Sequence, residues 1–369
     1  MTIEWLAGNR IRGTSTERTN TTGIGDTAGG WVELGRTTLG STGNNIDVSS
    51  LPDKRYYMFL THAPTDSSGY VLDRYRLNND SSGTNGVSGK YSYRSSLNGS
   101  SPDGTGINQN EGIILSDGAS IHQAGEIFTM GYIANKSDKE KLLIGHTMHN
   151  DTAGAGTAPD RGEGVGKHAQ TSNPITSVNC VNTNNSGFAS GSEMIVLGWD
   201  PADTHTANFW EELASVEYSG GTALTSGTIP AKKYLWVQAY LKIASGTVDS
   251  NLWRFNADIQ NHYAARYSRD GATDPTPNAS ISHMNINFGA GTRNNQLINM
   301  FIINNSANEK LVTGSGISQG TSGSGTAPNR LEFASKWANT TDQITSIQCT
   351  QGNSLNFEAG TIMKVWGSD

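Results

Sequence analysis

Apolar residues along this chain recur with period two or in short unbroken runs, without the sustained 3.6-residue spacing of an amphipathic helix. KKYLWVQAYLKIA is the clearest case. Tyr234, Trp236, Gln238 and Tyr240 fall on one side and Leu235, Val237, Ala239 and Leu241 on the other, the alternation of a strand. KRYYMFLTHA, which follows a proline, reads as a second strand rich in aromatics. IFTMGYIAN and LINMFIINN are strands ending in Asn-rich turns, with EKLLIGHTM and EKLVTGSGI as the returning arms of hairpins. ITSVNCVN and ITSIQCTQ are short strands, SEMIVLGW and GTIMKVWG close each series, and KWANTTDQI supplies one helical turn.

The segments come in pairs because the chain is a duplication. GTAPDRGEGVGKHAQTSNPITSVNC, from Gly156, lies over GTAPNRLEFASKWANTTDQITSIQC, from Gly325, with 13 of 25 positions identical and no gap. Upstream, GYIANKSDKEKLLIG keeps the same offset of 169 residues to MFIINNSANEKLVTG. The offset becomes 172 where YSYRSSLNG meets YAARYSRDG. It reaches 178 where RLNND meets RFNAD and SSLPDKRYYMFL meets GTIPAKKYLWVQ. These changes fall in Gly/Ser/Asn-rich sequence, where loops absorb insertions. The predicted fold is all-β, with two tandem antiparallel β-sandwiches of jelly-roll-like type and about seven or eight strands each. An N-terminal arm (1–30) precedes repeat 1 (31–200) and repeat 2 (201–369).

Composition narrows the function. The chain is 34% hydrophobic and 16% charged with 44 glycines, which suits short strands and many turns, and its 29 aromatic residues exclude a disordered chain. A net charge of −7 argues against a nucleic-acid-binding face, which needs clustered Lys and Arg. No apolar run is long enough for a membrane helix. MTIEWLAGNR lacks the basic and apolar regions of a secretory signal, so synthesis in a cytoplasm is expected.

Candidate chemistry is sparse, and no cofactor or enzymatic activity is predicted. Cys180 and Cys349 occupy equivalent places and read as small buried strand residues rather than a disulfide. His146 and His149 are replaced by Ser315 and Ser318 in the second copy, which argues against a metal site. Arg76 with Asp80 and Arg254 with Asp258 read as ion pairs pinning a turn, with a carbohydrate or calcium site as the alternative. Glu140–Lys141 and Glu309–Lys310 read as solvated charge pairs. Arg161 and Arg330 each have a glutamate two residues on, Glu163 and Glu332, on the same strand face. Asp47, Asp53, Glu163 and Glu332 are all available to a carboxylate pair of glycosidase type, and nothing in the sequence selects two of them.

The segments LPDKRYYMFL/IPAKKYLWVQ, RFNADIQNHYAARYSRDG, FIINNSANEKL and GTAPNRLEFASKWANTTDQITSIQ resemble virion structural proteins of tailed phages and marine viruses, over both copies. The resemblance implies a bacteriophage capsid decoration, tail fibre or coat component located in the virion and forming a homo-oligomer. Its expected partners are itself and other virion proteins, and it carries over no catalytic or metal residues. The opening IEWLAGNRIRGTSTERT resembles the start of such proteins and implies an assembly arm, with Trp5, Arg10, Arg12 and Arg18 as its contact residues. The alternative is a glycan-binding module that attaches the particle to a host surface glycan, with Tyr91, Tyr93, Tyr263 and Tyr267 as candidates for stacking on sugar rings.

Overall fold

The computed structural model describes residues 30–66, 70–100, 104–116, 122–123, 125–184, 186–200, 208–243, 250–275, 278–288, 295–319, 324–352 and 356–369. Trp5, Arg10, Arg12 and Arg18 lie outside them. Every regular element among these residues is a strand. Repeat 1 contains β1 (Val32–Thr38), β2 (Asn45–Val48), β3 (Tyr56–Pro64), β4 (Tyr70–Val71), β5 (Asp73–Leu77), β6 (Tyr91–Leu97), β7 (Gly104–Gln109), β8 (His122–Gln123), β9 (Glu126–Ala134), β10 (Lys141–Asn150), β11 (Asp160–His168), β12 (Val178–Asn182) and β13 (Glu193–Trp199). Repeat 2 contains β14 (Glu211–Glu217), β15 (Ala223–Thr225), β16 (Tyr234–Lys242), β17 (Ser250–Phe255), β18 (Tyr263–Arg269), β19 (Asn278–Ile281), β20 (Met284–Asn287), β21 (Asn295–Ile303), β22 (Lys310–Gln319), β23 (Asn329–Trp337), β24 (Ile347–Gln351) and β25 (Ile362–Ser368). Strands of two to four residues, such as β4 and β15, raise the number above the seven or eight expected; they are too short to leave a periodic signal. The KWANTTDQI segment ends β23 and makes no helix. The Asn339 side chain instead accepts hydrogen bonds from the backbone N–H of Thr341 and Asp342.

The two repeats are sandwiches built on one plan. The large sheet of repeat 1 runs β1-β13-β3-β9-β10-β11-β6-β7, and that of repeat 2 runs β14-β25-β16-β21-β22-β23-β18-β19. All pairings in both are antiparallel. The small sheets are β2-β12-β5 and β15-β24-β17-β20. Repeat 1 has an isolated bridge, Tyr75 to Ile113, where repeat 2 has β20. Each pair of sheets encloses its own core. Ile46, Phe59, Tyr75, Ile133, Val178 and Val196 belong to the first, and Leu224, Val237, Trp253, Ile302, Ile347 and Val365 to the second.

The shared residues of the repeat explain this shared plan. Tyr91 Oη donates to the Leu77 carbonyl and accepts from the Leu77 N–H, both at 3.1 Å. Tyr263 Oη makes the same two bonds to Phe255, at 3.3 and 2.9 Å. Asn78 and Asn256 take left-handed backbone conformations, with φ of 58° and 52°, which asparagine tolerates. The Asn78 side-chain oxygen accepts from the backbone N–H of Thr176 and Ser177, and that of Asn256 from Thr345 and Ser346. Cys180 and Cys349 are buried free thiols on β12 and β24.

One difference between the cores is legible in the hexapeptide region. Repeat 1 reads GEGVGK where repeat 2 reads LEFASK. In repeat 1 the segment around Ile113 and Leu115 lies directly over β11, and a Cβ on Gly166 would stand 2.6 Å from Ile113. Glycine is required by that close approach.

Candidate functional site

Strands β3, β9, β13, β16 and β21 carry apolar residues on both faces, so each large sheet needs two covers. The inner face meets its small sheet. The outer faces of the two large sheets meet each other, and this packing builds the site.

The outer face of repeat 1 has two halves. Leu60, His62, Phe128, Met148 and Asn150 make up one, and Tyr56, Tyr132, Leu142 and Ile144 the other. By the repeat offsets, their equivalents in repeat 2 are Gln238, Tyr240, Leu297, Ile317 and Gln319, and then Tyr234, Phe301, Leu311 and Thr313. The Phe128 half of repeat 1 packs on the Leu311 half of repeat 2. Met58, Leu60, Phe128, Met130 and Met148 share one core with Trp210, Tyr234, Phe301, Leu311 and Trp366.

Polar contacts surround this core. Asn150 Nδ2 donates to Glu309 Oε2 at 2.9 Å, and Lys336 Nζ donates to Asn150 Oδ1 at 2.7 Å. Tyr234 Oη and Lys233 Nζ donate to Glu193 Oε1 at 2.7 and 2.8 Å. Burial pushes the Glu193 carboxyl up, but hydrogen bonds from Lys233, Thr38 and Tyr234 outweigh it and hold the pKa below the usual range. Arg161 Nη2 donates to Asp274 Oδ1 at 2.8 Å, both side chains being buried. Buried ion pairs of this kind fix one docking geometry more than they add stability.

The remaining two halves stay largely exposed and converge at one cleft, where Ile144 of one meets Leu297 and Ile317 of the other. Of eleven exposed large hydrophobic residues among those described, seven lie on them: Tyr56, Leu142, Ile144 and Val165 on repeat 1, and Tyr240, Leu297 and Ile317 on repeat 2. On repeat 1 they form a shallow apolar surface with a hollow of about 850 Å³. Trp31, Tyr56, Tyr132, Leu142 and Trp199 line it, and no described residue of repeat 2 does. Tyr56 stacks on Trp199 with ring centroids 5.4 Å apart.

Between the sheets lies a second, more polar cleft of about 650 Å³. Glu163 from the first Arg-x-Glu and both Arg330 and Glu332 from the second line it. Arg161 Nη1 is 3.1 Å from Glu163 Oε2, and Arg330 Nε is 2.7 Å from Glu332 Oε1. His146 is the cross-strand neighbour of Glu163, and Ser315 that of Glu332. The Glu332 carboxyl is pushed up to about 7, chiefly by burial and then by the charge of Glu163. Desolvation lowers the His146 pKa. A smaller chamber of about 110 Å³ continues inward past His146, Asn299 and Ser315 to Tyr132 and Phe301.

Several sequence expectations need correction. Tyr91 and Tyr263 are wholly buried and spend their hydroxyls on backbone, and Tyr267 belongs to the repeat 2 core, so these three rings are not presented to a glycan. Tyr93 packs against Gly106 and lines the edge of the apolar surface. Arg76 and Arg254 donate to the carbonyls of Glu111 and Ser282 instead of pairing with Asp80 and Asp258. Asp80 meets His168 at 3.0 Å and Asp258 meets Trp337 Nε1 at 2.7 Å, so these aspartates bind the equivalent positions of β11 and β23. Lys141 and Lys310 are buried rather than solvated, with their ammonium groups capped by the carbonyls of Lys136 and Lys139 and of Asn308 and Asn339. Burial lowers the Lys310 pKa to about 8. His146 lies on the outer face of β10 and His149 on the inner face. No group of three metal-ligating residues occurs among those described.

The meeting of Glu163 and Glu332 was not foreseeable from either copy alone. The exposed apolar surface left a signal in the Leu-Leu-Ile run of EKLLIGHTM, which is apolar on both faces of one strand.

The fold and these two surfaces define a two-repeat all-β sandwich protein. No family model matches the chain, and no curated protein matches it. Among solved structures, the mouse laminin alpha1 chain, domains LG4-5, aligns over 92% of this chain and 91% of that one. Its identity is 9% and its TM-score 0.18, a likeness too slight to bear on fold or function.

Proposed function

We propose that the chain is a non-enzymatic structural component of a virus particle, as the resemblance of its repeated segments implies, and that it assembles by adding a second copy of itself. The observation that carries assembly is the unequal use of equal surfaces. Within one chain, a Phe128-type half buries a Leu311-type half. The Leu142 half of repeat 1 and the Tyr240/Leu297 half of repeat 2 are the equivalents of those two surfaces, and both remain exposed. A second copy that brings its Tyr240 half onto the Leu142 half repeats the contact already made inside the chain. Such head-to-tail contacts generate rings or open filaments, the behaviour required of a shell or fibre component.

Sedimentation velocity on the full-length protein tests this. Wild type is expected to form a concentration-dependent series of oligomers. Leu142→Glu and Tyr240→Glu are each expected to be monomeric alone, and to stop at dimers when mixed, because each blocks a different half of the contact. A wild-type monomer at high concentration overturns the assembly reading. The virion reading is tested separately by probing gradient-purified particles from an expressing host; absence of the chain there overturns it.

A further inference from the structure

The apolar surface leaves the polar cleft unexplained. Its walls are sheet faces rather than strand edges, since β10, β11, β22 and β23 all lie inside their sheets. A peptide therefore finds no backbone ladder to join there. The Arg and Glu side chains lining the cleft among the described residues are Arg94 and Arg330 against Glu163 and Glu332, a balanced set that selects no strongly charged ligand. At about 650 Å³ the cleft falls within the range of ligand pockets, roughly 300–1,000 Å³.

Two observations point to a ligand. The Glu332 side chain is 7% exposed, yet its Oε2 is buried and receives no hydrogen bond from the described residues. A buried orphan acceptor is costly and calls for a partner. Asn299 is held by Trp236 Nε1 at 2.6 Å and Gln238 Nε2 at 3.2 Å, which both donate to its Oδ1. This orients its amide nitrogen as a donor. The cleft thus offers an acceptor and a fixed donor on either side of Ser315, with Ile144, Val165, Leu297 and Ile317 as apolar ground around them.

We propose that the cleft between the repeats binds an uncharged oligosaccharide, with Glu332 and Asn299 hydrogen-bonding its hydroxyls and the aliphatic residues covering the C–H faces of its rings. A saccharide combines neighbouring donors and acceptors with apolar ring faces, and so matches each of these features. The Glu332 carboxyl, with a pKa near neutrality, is able to serve as either acceptor or donor to a hydroxyl. The site lies apart from the four tyrosines considered from sequence. It joins residues of both repeats, so neither repeat forms it alone.

The test is an array of uncharged and acidic oligosaccharides probed with the labelled full-length protein, followed by calorimetric titration of the best uncharged ligand. Saturable binding is expected, weakened about tenfold or more by Glu332→Ala and by Asn299→Ala, the loss of roughly one hydrogen bond to a charged or fixed polar group. Circular dichroism confirms that the variants are folded, and Asn299→Asp keeps the shape while removing the donor. The proposed assembly contact shares Ile144, Leu297 and Ile317 with the cleft, so binding is compared at concentrations where wild type is monomeric. There Leu142→Glu, designed to block assembly, is expected to bind the sugar as wild type does, and failure of one proposal is distinguishable from failure of the other. The proposal is overturned if no uncharged saccharide binds, if only acidic ones do, or if both alanine variants bind like wild type.

Discussion

The two repeats share a topology and differ in what their outer faces touch. Arg161 is 2% exposed and Arg330 59% as side chains. Leu311 is fully buried, while its equivalent Leu142 is 56% exposed. The hexapeptide shows the same split, because Ala158 and Pro159 are buried while Ala327 and Pro328 are exposed. In repeat 1 this loop receives repeat 2, with Arg266 Nε donating to the Pro159 carbonyl at 3.0 Å. Identity of sequence between the copies therefore reports the fold. The environment of a residue is set by which half of which face it occupies.

The largest expected contrast is Arg161→Ala against Arg330→Ala. The first leaves Asp274 buried without its cation and is expected to cost about 3–5 kcal/mol in chemical denaturation. The second removes a cation that is largely solvated and stands beside a carboxyl already raised toward neutrality, and is expected to cost roughly 0.2–1 kcal/mol. Equal costs would show that the two arginines occupy equivalent environments. Next comes Leu311→Ala, expected to lower stability by about 2–5 kcal/mol through a cavity in the inter-repeat core, against a change within about 0.5 kcal/mol for Leu142→Ala.

A smaller effect comes from Glu332. Its folded pKa of about 7 lies above the ordinary 4.5, so between those values the folded state holds a proton that the unfolded state has lost. The contribution of this group is fully present below about pH 4.5 and lost as pH rises through 7, by up to ~3 kcal/mol. Glu332→Gln removes the titration, and the difference in melting temperature between variant and wild type is expected to widen in favour of the variant from pH 5 to 8. A pH-independent difference would contradict this. Smallest, and equal in both repeats, is the effect of Tyr91→Phe and Tyr263→Phe. Each loses the same hydroxyl bridge to backbone, expected to cost about 1–3 kcal/mol because buried backbone groups are left unpaired. Unequal losses would show that the inner cores are less alike than their geometry.

The repeat, the longer strands and the antiparallel sandwich architecture were readable in sequence, because period-two alternation and duplicated spacing are local properties. The inner-face anchors could be paired but not assigned. Tyr91 and Tyr263 look like ring-stacking residues until their hydroxyls are seen bonded to Leu77 and Phe255. Lys141 and Lys310 look solvated because nothing in a Glu-Lys-Leu triplet reveals the carbonyls that cap a buried ammonium. The cleft was hidden for a different reason. It depends on how one repeat docks on the other, and two copies with outer faces that are apolar alike give no local cue to which of their halves will meet. Only the doubly apolar strands signalled that some docking must occur.

The inter-repeat core also has a consequence in time. Phe128, Met148 and Leu197 lie in repeat 1, whereas Phe301, Leu311 and Trp366, which cover them, stand toward the end of repeat 2. At a synthesis rate of roughly 5–20 residues per second, about 10–30 s pass before the cover is made. Throughout that interval the nascent first repeat carries a naked apolar face out of the ribosome. A chain stopped at Asp200 keeps that condition permanently and is expected to be recovered in the pellet, or bound to a chaperone, when the full-length protein is recovered in the supernatant.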